Sequence, residues 1–423
     1  MQDSAHSSEL VGLRPYHVVM KARHDVLIVG GGLVGASLAI ALDRLGLDTA
    51  LVEATPAGAL PAVFDQRNLS FAAATVNALT ALGVMQKLSA PTGPIRSIQV
   101  SRRGDFGRVR LDAADYGREA FGQVVVARDF GLALEARLDE LNRFTRYRPA
   151  RFVGIEAEAD GTRAITIADG SGERPVAARL IVAADGTRSG LRAALGIGHD
   201  ERDYGQTLFV ARVRSERAPD GTAYERFGDH GPTALLPRGD RHFGVVHAVA
   251  REQADAVAAL DDAAWLERVQ DAVGWRIGKL VASGPRSAYP AIGAVARQTV
   301  APRAVLVGNA AQTLHPIGAQ GFNLGLRDAL TLAEIIESRL ESDGDVDPGD
   351  ATLLDSYATR RSEDRRRTLA FSDGLARLTA NPAPWLRPLR SLGLAAMDGL
   401  PSVQGYLVGG AMGFRGDVPR LCR

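Results

Sequence analysis

Cysteine is almost absent. Cys422 stands alone in 423 residues, so no disulfide framework can form within the chain, and a reducing compartment, the cytoplasm, is expected. There is no C-x-x-C pair, which excludes oxidoreductases that work through a redox-active disulfide. Long apolar runs are also missing, since none approaches the roughly 20 residues that span a bilayer. The first 23 residues are mixed and polar and lack the apolar stretch of a signal peptide. Residues 1–23 are expected to form a loose extension. Charge of one sign is lacking too: a net charge of +1 gives no electrostatic case for nucleic acid. The run Arg360 to Arg367 is interleaved with Glu363 and Asp364 and reads as a solvated helix face. Eight histidines fall into no metal-ligand spacing. His242 and His247 lie on opposite faces of a strand, so no metal is expected.

What is present describes an ordinary globular chain, 46% hydrophobic and 23% charged, long enough for two or three domains. One stretch organises it. Val26 to Val29 is an apolar run that reads as a buried parallel strand. Gly30, Gly32 and Gly35 follow in G-x-G-x-x-G spacing, with Val34 between them, and Ala36 to Leu45 carries helix formers. Thr49 to Val52 is a second strand, ending in Glu53. Gly30 permits the tight turn, Gly32 lets a pyrophosphate approach the backbone, and Gly35 lets the helix pack on the strand. The helix N-terminus offers N–H groups to phosphate, and Glu53 stands where an acid binds ribose hydroxyls. With strand, helix and acid in place, the motif predicts a dinucleotide site. It does not by itself choose between NAD and FAD.

Further along, a helix is expected from Ala72 to Met85, after a loop that includes Asp65-Gln66-Arg67. Ile98 to Arg103 and Gly107 to Leu111 read as a hairpin, Val124 to Val126 as a strand before Arg128, and Phe130 to Leu141 as a helix. Phe152 to Ala168 reads as a β-meander. Leu180 to Ala183 is another buried strand, ending in Asp185-Gly186. Four strands between Leu208 and Ala248 predict an antiparallel sheet. Ala304 to Val307 is a third buried strand, leading into a loop from Gly308 to Gly325 and a helix to about Leu340. The remainder reads as helical, broken at Pro382, Pro384 and Pro388.

These three strand–turn elements, in this order, resemble the single-component flavin aromatic hydroxylases of the p-hydroxybenzoate hydroxylase fold, from about residue 24 to 345. V-L-V-G-N-A-A-Q-T-L-H-P from Val305 to Pro316 and Q-G-F-N-L-G-L-R-D from Gln320 to Asp328 are similar to the 2-polyprenyl-6-methoxyphenol hydroxylase branch of ubiquinone biosynthesis. E-R-F from Glu225, H-G-P from His230, W-R-I-G-K from Trp275 and R-S-A-Y-P from Arg286 add to the match. Asn309 replaces the Asp usual in the broader class, and Gly318-Ala319 inverts the usual order.

The resemblance implies an α/β fold: a Rossmann-like FAD-binding domain, an inserted antiparallel β-sheet substrate domain and a helical C-terminal region. The expected division is 24–93, 121–200 and 295–345 for FAD; 94–120 and 201–294 for substrate; and 346–423 for the C-terminal helices. It implies FAD as cofactor and NAD(P)H as a transient reductant. Oxygen would add to reduced flavin, and the flavin hydroperoxide would hydroxylate a prenylated phenol. Gly308, Asn309, Gly321, Phe322 and Asn323 would meet the flavin, the backbone N–H groups of Phe322 and Asn323 facing its pyrimidine edge. Asp185 would reach the phosphate or ribitol region, or cap the helix at Leu191 instead. Arg67 and Arg128 are candidates for flavin contact or surface ion pairs. Pro316 would offer its preceding carbonyl near the reacting flavin atom, with His315 a second candidate or a loop-packing residue. Leu236, Pro237 and Tyr289, with Leu235, Val245, Val246 and Pro290, are candidates for an apolar pocket or for core. Leu378 to Phe414 is either a membrane- or partner-facing patch, at the inner membrane or in a biosynthetic complex, or a packed C-terminal helix. A hydroxylase acting at another ubiquinone ring position or on another phenol, a flavin reductase of the same fold and a non-catalytic member are the alternatives left open.

Overall fold

The protein is described by a computed structural model over residues 24–380 and 386–423. Expectations for residues 1–23, Pro382, Pro384 and Trp385 lie outside the described residues. His24–Val29 is the centre of an eight-stranded sheet. Val26, Leu27 and Ile28 have no solvent contact because parallel strands flank them, Gly172–Ala183 on one side and Thr49–Val52 on the other. The parallel set continues outward to Phe144–Tyr147 beyond Thr49–Val52 and to Ala304–Leu306 beyond Gly172–Ala183. Strands fed by crossover helices bury both faces, which is why these segments read as continuous apolar runs. Phe144–Tyr147 escaped that reading: only Tyr147 is buried, and four residues are too few to display a period. The meander is Arg151–Ile155, Arg163–Asp169 and Gly172–Ala183, antiparallel throughout.

The helix Leu33–Asp43 follows the glycine turn and buries every residue from Gly35 to Leu42. Its Leu38, Ile40 and Leu42 share one core with Phe130 and Leu134 of helix Ala127–Leu138 and with Leu326 and Leu330 of helix Gln320–Asp343.

A second sheet of nine strands carries the segment between the dinucleotide elements. Its main path runs from Gln312–Thr313 through Ser287–Ala296, His199–Ser215, Phe243–Ala250, Gly231–Pro237 and Thr222–Gly228 to the hairpin Ser97–Arg102 and Arg108–Asp112. All its pairs are antiparallel except Thr222–Gly228 with Ser97–Arg102. Helix Asp262–Val273, capped by the Asp261 carboxylate on the Ala264 N–H (2.8 Å), covers one face with the fully buried Trp265.

The stretch before the expected helix at Ala72 is instead a strand. Asn68–Ala72 pairs with Gly122–Val126, which also holds Gly93–Pro94, and the helix is Ala73–Ala81. Three C-terminal helices follow, Ala351–Ala380, Leu386–Gly399 and Pro401–Ala411. Pro388 does not break the chain. It lies in the first turn of Leu386–Gly399, where a missing N–H forfeits no helical bond.

Candidate active site

The two sheets and the C-terminal helices enclose a cavity of about 1140 Å³. The glycine turn forms one end. Gly30, at φ 107°, bends the chain off the strand, and a Cβ there would lie 2.5 Å from the Ala184 carbonyl oxygen. A Cβ on Gly35 would stand 2.0 Å from the Gly30 carbonyl oxygen, so helix and strand touch through backbone. Gly32 differs. The nearest atom to a Cβ there is Val63 Cγ1 at 3.8 Å, and the position opens into the cavity. No side chain caps helix Leu33–Asp43, whose first N–H groups and positive dipole end lie at this opening. Glu53 lines the same end. Its carboxylate accepts the Gly31 N–H at 2.8 Å and the Thr55 N–H at 2.7 Å.

Asp185 also lines the cavity. One of its oxygens accepts the Leu191 N–H at 3.1 Å, while Oδ1 is buried with no hydrogen-bond partner. The cap of helix Gly190–Ala194 is Ser189, which accepts the Arg192 N–H at 2.9 Å. Gly308 lies behind the wall: at φ 59°, a Cβ on it would meet Val34 Cγ2 at 2.9 Å, and one on Gly325 would meet Gly308 Cα at 2.9 Å. Val34 and the exposed Asn309 do line the cavity.

The loop Pro316–Ala319 turns through two left-handed residues, Gly318 (φ 69°) and Ala319 (φ 51°), into helix Gln320–Asp343. No side chain caps this helix either, and Gly321, Phe322 and Asn323 face the cavity from its first turn. The Asn323 side chain is fully used. Its oxygen accepts from the Ala72 N–H (2.9 Å) and Thr75 hydroxyl (2.7 Å), and its amide donates to the Ser70 and Ala319 carbonyls (3.0 and 2.8 Å). It pins the helix start to strand Asn68–Ala72.

Several expected site residues fall elsewhere. Pro316 lines the cavity, but His315 does not: its ring is 1% exposed and its hydrogen bonds are complete. Nδ1 accepts the Ile317 N–H at 3.2 Å, so Nε2 carries the proton and donates to Gln206 Oε1 at 3.0 Å. The His315 carbonyl, expected to face the flavin, accepts the Ser372 hydroxyl at 3.1 Å. Leu236 lines the cavity and Pro237 does not, because alternate strand residues face opposite ways. By the same alternation Val246 lines it while Leu235 and Val245 join the core under Trp265. Tyr289, expected in the pocket, does not line the cavity; its hydroxyl is hydrogen-bonded to Asp65 and its ring lies 4.4 Å beneath the Arg67 guanidinium. Arg67 lines the cavity, held by two 2.8 Å bonds from its guanidinium to Asp65. Arg128 is exposed and off the cavity; its backbone N–H donates to the Asp65 carbonyl at 2.8 Å.

The arginine-rich run has two sides: Glu363, Arg366 and Arg367 form the expected solvated face, while Arg361 and Asp364 belong to a buried network. Arg361, 1% exposed, pairs with Asp328 and Asp364 at 2.8 Å each. Asp364 also holds Arg327 at 2.8 Å. Asp328 in turn accepts the Gly308 N–H at 3.2 Å and the Gln312 amide at 2.6 Å. The turn behind Asn309 is therefore tied to helix Ala351–Ala380.

Residues 23–372 match the family described as FAD binding domain. The chain belongs to this FAD-binding family. Over 405 residues it is 34% identical to the ubiquinone hydroxylase UbiL of Rhodospirillum rubrum, covering 94% of this chain and 92% of that one. It is 28% identical to the 3-demethoxyubiquinol 3-hydroxylase of Escherichia coli (88% and 94% covered), and 27% to the human ubiquinone biosynthesis monooxygenase COQ6 (93% of each). The p-nitrophenol 4-monooxygenase PnpA of Pseudomonas putida shares the fold at a TM-score of 0.75 and 17% identity, over 94% of this chain and 99% of that one. The protein is an FAD-dependent monooxygenase of the aromatic-hydroxylase class. Its cavity fits the cofactor: Gly32 leaves room, two uncapped helix ends meet there, and Asp185 Oδ1 is a buried acceptor without a partner. Among the described residues, no helix is long and apolar enough to cross a membrane, and no three His, Cys, Asp or Glu residues could hold a metal ion.

Burial pushes the His315 imidazole of the monooxygenase down from 6.5 to about 4. The unfolded chain binds the extra proton between those values, so the stability held above pH 6.5 is lost as pH falls towards 4. The expected loss is about 3 kcal/mol at roughly 1.4 kcal/mol per pH unit. The melting temperature should therefore fall more steeply between pH 7 and 4.5 in the wild type than in His315→Gln. Identical slopes would refute the buried neutral ring.

One residue went unnoticed among the site candidates. Glu225 lines the cavity, and burial raises its carboxyl to about 7. The sequence offered it only as the first letter of E-R-F.

Proposed function

We propose that the monooxygenase hydroxylates the ring of a polyprenylated phenol in ubiquinone biosynthesis, reduced by NAD(P)H. The observation that carries this is the shape of the cavity. From the flavin end it continues into an apolar wing between the substrate sheet and the C-terminal helices. Ile98, Val109 and Leu111 form one wall, and Leu394, Met397 and Leu407 the other. A phenol alone leaves such a wing empty, whereas a prenyl tail fills it, at about 25 cal/mol per Å² of apolar surface buried. The ubiquinone-hydroxylase names of the relatives support the same substrate class.

In this reading, residues 24–93, 121–200 and 295–345 hold FAD. Residues 94–120 and 201–294 hold the ring, and 346–423 close over the tail. The turn Gly30 to Gly35 and the N–H groups behind it take the pyrophosphate, and Glu53 takes ribose hydroxyls. Asp185 Oδ1 and Asn309 bond the ribitol chain, and Arg67 contributes charge at the rim. The first-turn N–H groups of Gly321, Phe322 and Asn323 stabilise negative charge on the flavin ring. Bound FAD supplies oxygen activation. The apolar walls at Leu236 and Val246 keep water from the reacting centre, and Pro316 shapes the loop beside it.

The test is anaerobic reduction of the yellow protein by NADPH, then oxygen, with a prenylated methoxyphenol present. Hydroxylated product identified by mass supports the reading. Flavin reoxidation with only hydrogen peroxide released overturns this substrate.

A further inference from the structure

Glu225 sits mid-strand in Thr222–Gly228, opposite Val100 on one neighbour and Ala234 on the other. Ala223, Glu225 and Phe227 share a face by the two-residue period, and that face lines the cavity. Its nearest strand neighbours there are Ile98, Val100, Ala234 and Leu236, and the next side chain beyond Val100 on that face is Arg102, whose guanidinium is paired with Asp229. Among the described residues no hydrogen bond or ion pair holds it, and burial alone sets its raised pKa. An unpartnered carboxylate in such surroundings is unfavourable, and its position on the cavity wall points to a ligand group that completes it. Phe227 packs on Ile317, the residue after Pro316. Glu225 is therefore one side-chain step, roughly 7 Å along the strand, from the residue that touches the loop at the reacting end.

We propose that Glu225 is a catalytic residue: its carboxylate accepts the hydrogen bond, and then the proton, of the substrate's aromatic hydroxyl group. This rests on the phenol reading above. The O–H bond breaks, the electron pair stays on the phenolic oxygen, and the proton moves to a Glu225 oxygen. The ring carbons ortho and para to that oxygen become stronger nucleophiles for the oxygen atom that the monooxygenase delivers. When the ring regains aromaticity, the proton lost from the hydroxylated carbon leaves with the second oxygen atom as water, and Glu225 returns its own proton to the product phenolate, so it is neither consumed nor oxidised. A carboxyl near pH 7 suits both transfers.

The experiment uses FAD-loaded full-length protein with 2-methoxy-6-geranylphenol and its methyl ether as probes. Binding is followed by the flavin absorbance change and turnover by product mass. Wild type should bind the phenol about tenfold more tightly than the ether. Glu225→Gln can still bond the hydroxyl but cannot take its proton, so KM should stay within about threefold while kcat falls about a hundredfold. Glu225→Ala should bind phenol and ether alike. Turnover of Glu225→Gln within threefold of wild type, or an unchanged phenol preference in Glu225→Ala, overturns the proposal. Wild type that holds FAD yet binds neither probe overturns the phenol reading itself, and the proposal with it.

Folding is checked independently. A carboxyl raised from 4.5 to about 7 gives stability that is present below 4.5 and lost as pH rises through 7. Glu225→Gln should thus melt at or above wild type at pH 8. The charged groups on the packed elements have partners of their own. Arg102 of strand Ser97–Arg102 holds Asp229 at 2.7 Å, and on helix Ala351–Ala380 Asp364 holds Arg327 and Arg367 holds Glu363. Strand Gly231–Pro237 contributes no titratable group.

Discussion

Gly32→Val should purify folded and colourless. A Cβ at Gly32 meets nothing closer than 3.8 Å, so the backbone there tolerates a side chain. Its two methyl groups project instead into the cavity ahead of helix Leu33–Asp43, where a pyrophosphate must approach the backbone. The melting temperature of the cofactor-free protein should match that of wild type stripped of flavin, while absorbance at flavin wavelengths disappears. Gly35→Val is the contrasting control. Its Cβ would overlap the Gly30 carbonyl at 2.0 Å, and the chain should fail to fold stably whether or not FAD is supplied. A Gly32→Val protein that stays yellow would remove the pyrophosphate from this turn.

Asp328→Ala should destabilise by about 3–5 kcal/mol, the range for removing one partner of a buried ion pair. Asp328 is the nearest anion to Arg361 apart from Asp364, both at 2.8 Å, and Arg361 is 1% exposed. The substitution would also strand the Gly308 N–H and the Gln312 amide, which Asp328 now accepts. Two readouts separate these effects. Denaturant titration reports the lost ion pair, and FAD affinity reports the released Gly308 turn. Pairing the substitution with Arg361→Met, which removes the orphaned charge, should recover most of the stability but not the flavin affinity. Recovery of both would mean that Asp328 acts only as a counter-ion.

The dinucleotide turn was legible because each glycine answers a separate steric demand visible in spacing alone. Gly308 was not: expected to meet the flavin, it packs against Val34 and Gly325 behind the wall, a contact between distant segments that spacing does not show. Asp185 was legible as a carboxylate in a strand–helix turn, although which of its oxygens stays free depends on the Leu191 N–H. The buried side of the arginine run was missed for a physical reason. Pairs three and four residues apart look alike on a wet or a dry helix face, and burial of Arg361 is decided by Asp328, 33 residues away. Leu236 and Pro237 show the limit in a strand: only the sheet's packing decides which alternate set faces the cavity. Glu225 was hidden because one carboxyl in a strand ordinarily faces water. Its apolar company comes from Val100 and Ala234 on neighbouring strands.

The central position of His24–Val29 also governs the order in which the protein can be built. Its partner strand lies about 150 residues downstream, in the register His24 to Ala178. At roughly 5–20 residues per second of synthesis, the earlier strand waits about 8–30 seconds with one apolar edge uncovered. The far wall of the flavin cavity, from Gln320 onward, emerges later still. Free FAD therefore cannot rescue a chain stalled before Gly325. The vulnerable species is a ribosome-bound intermediate with an open sheet edge that the cofactor cannot yet cover.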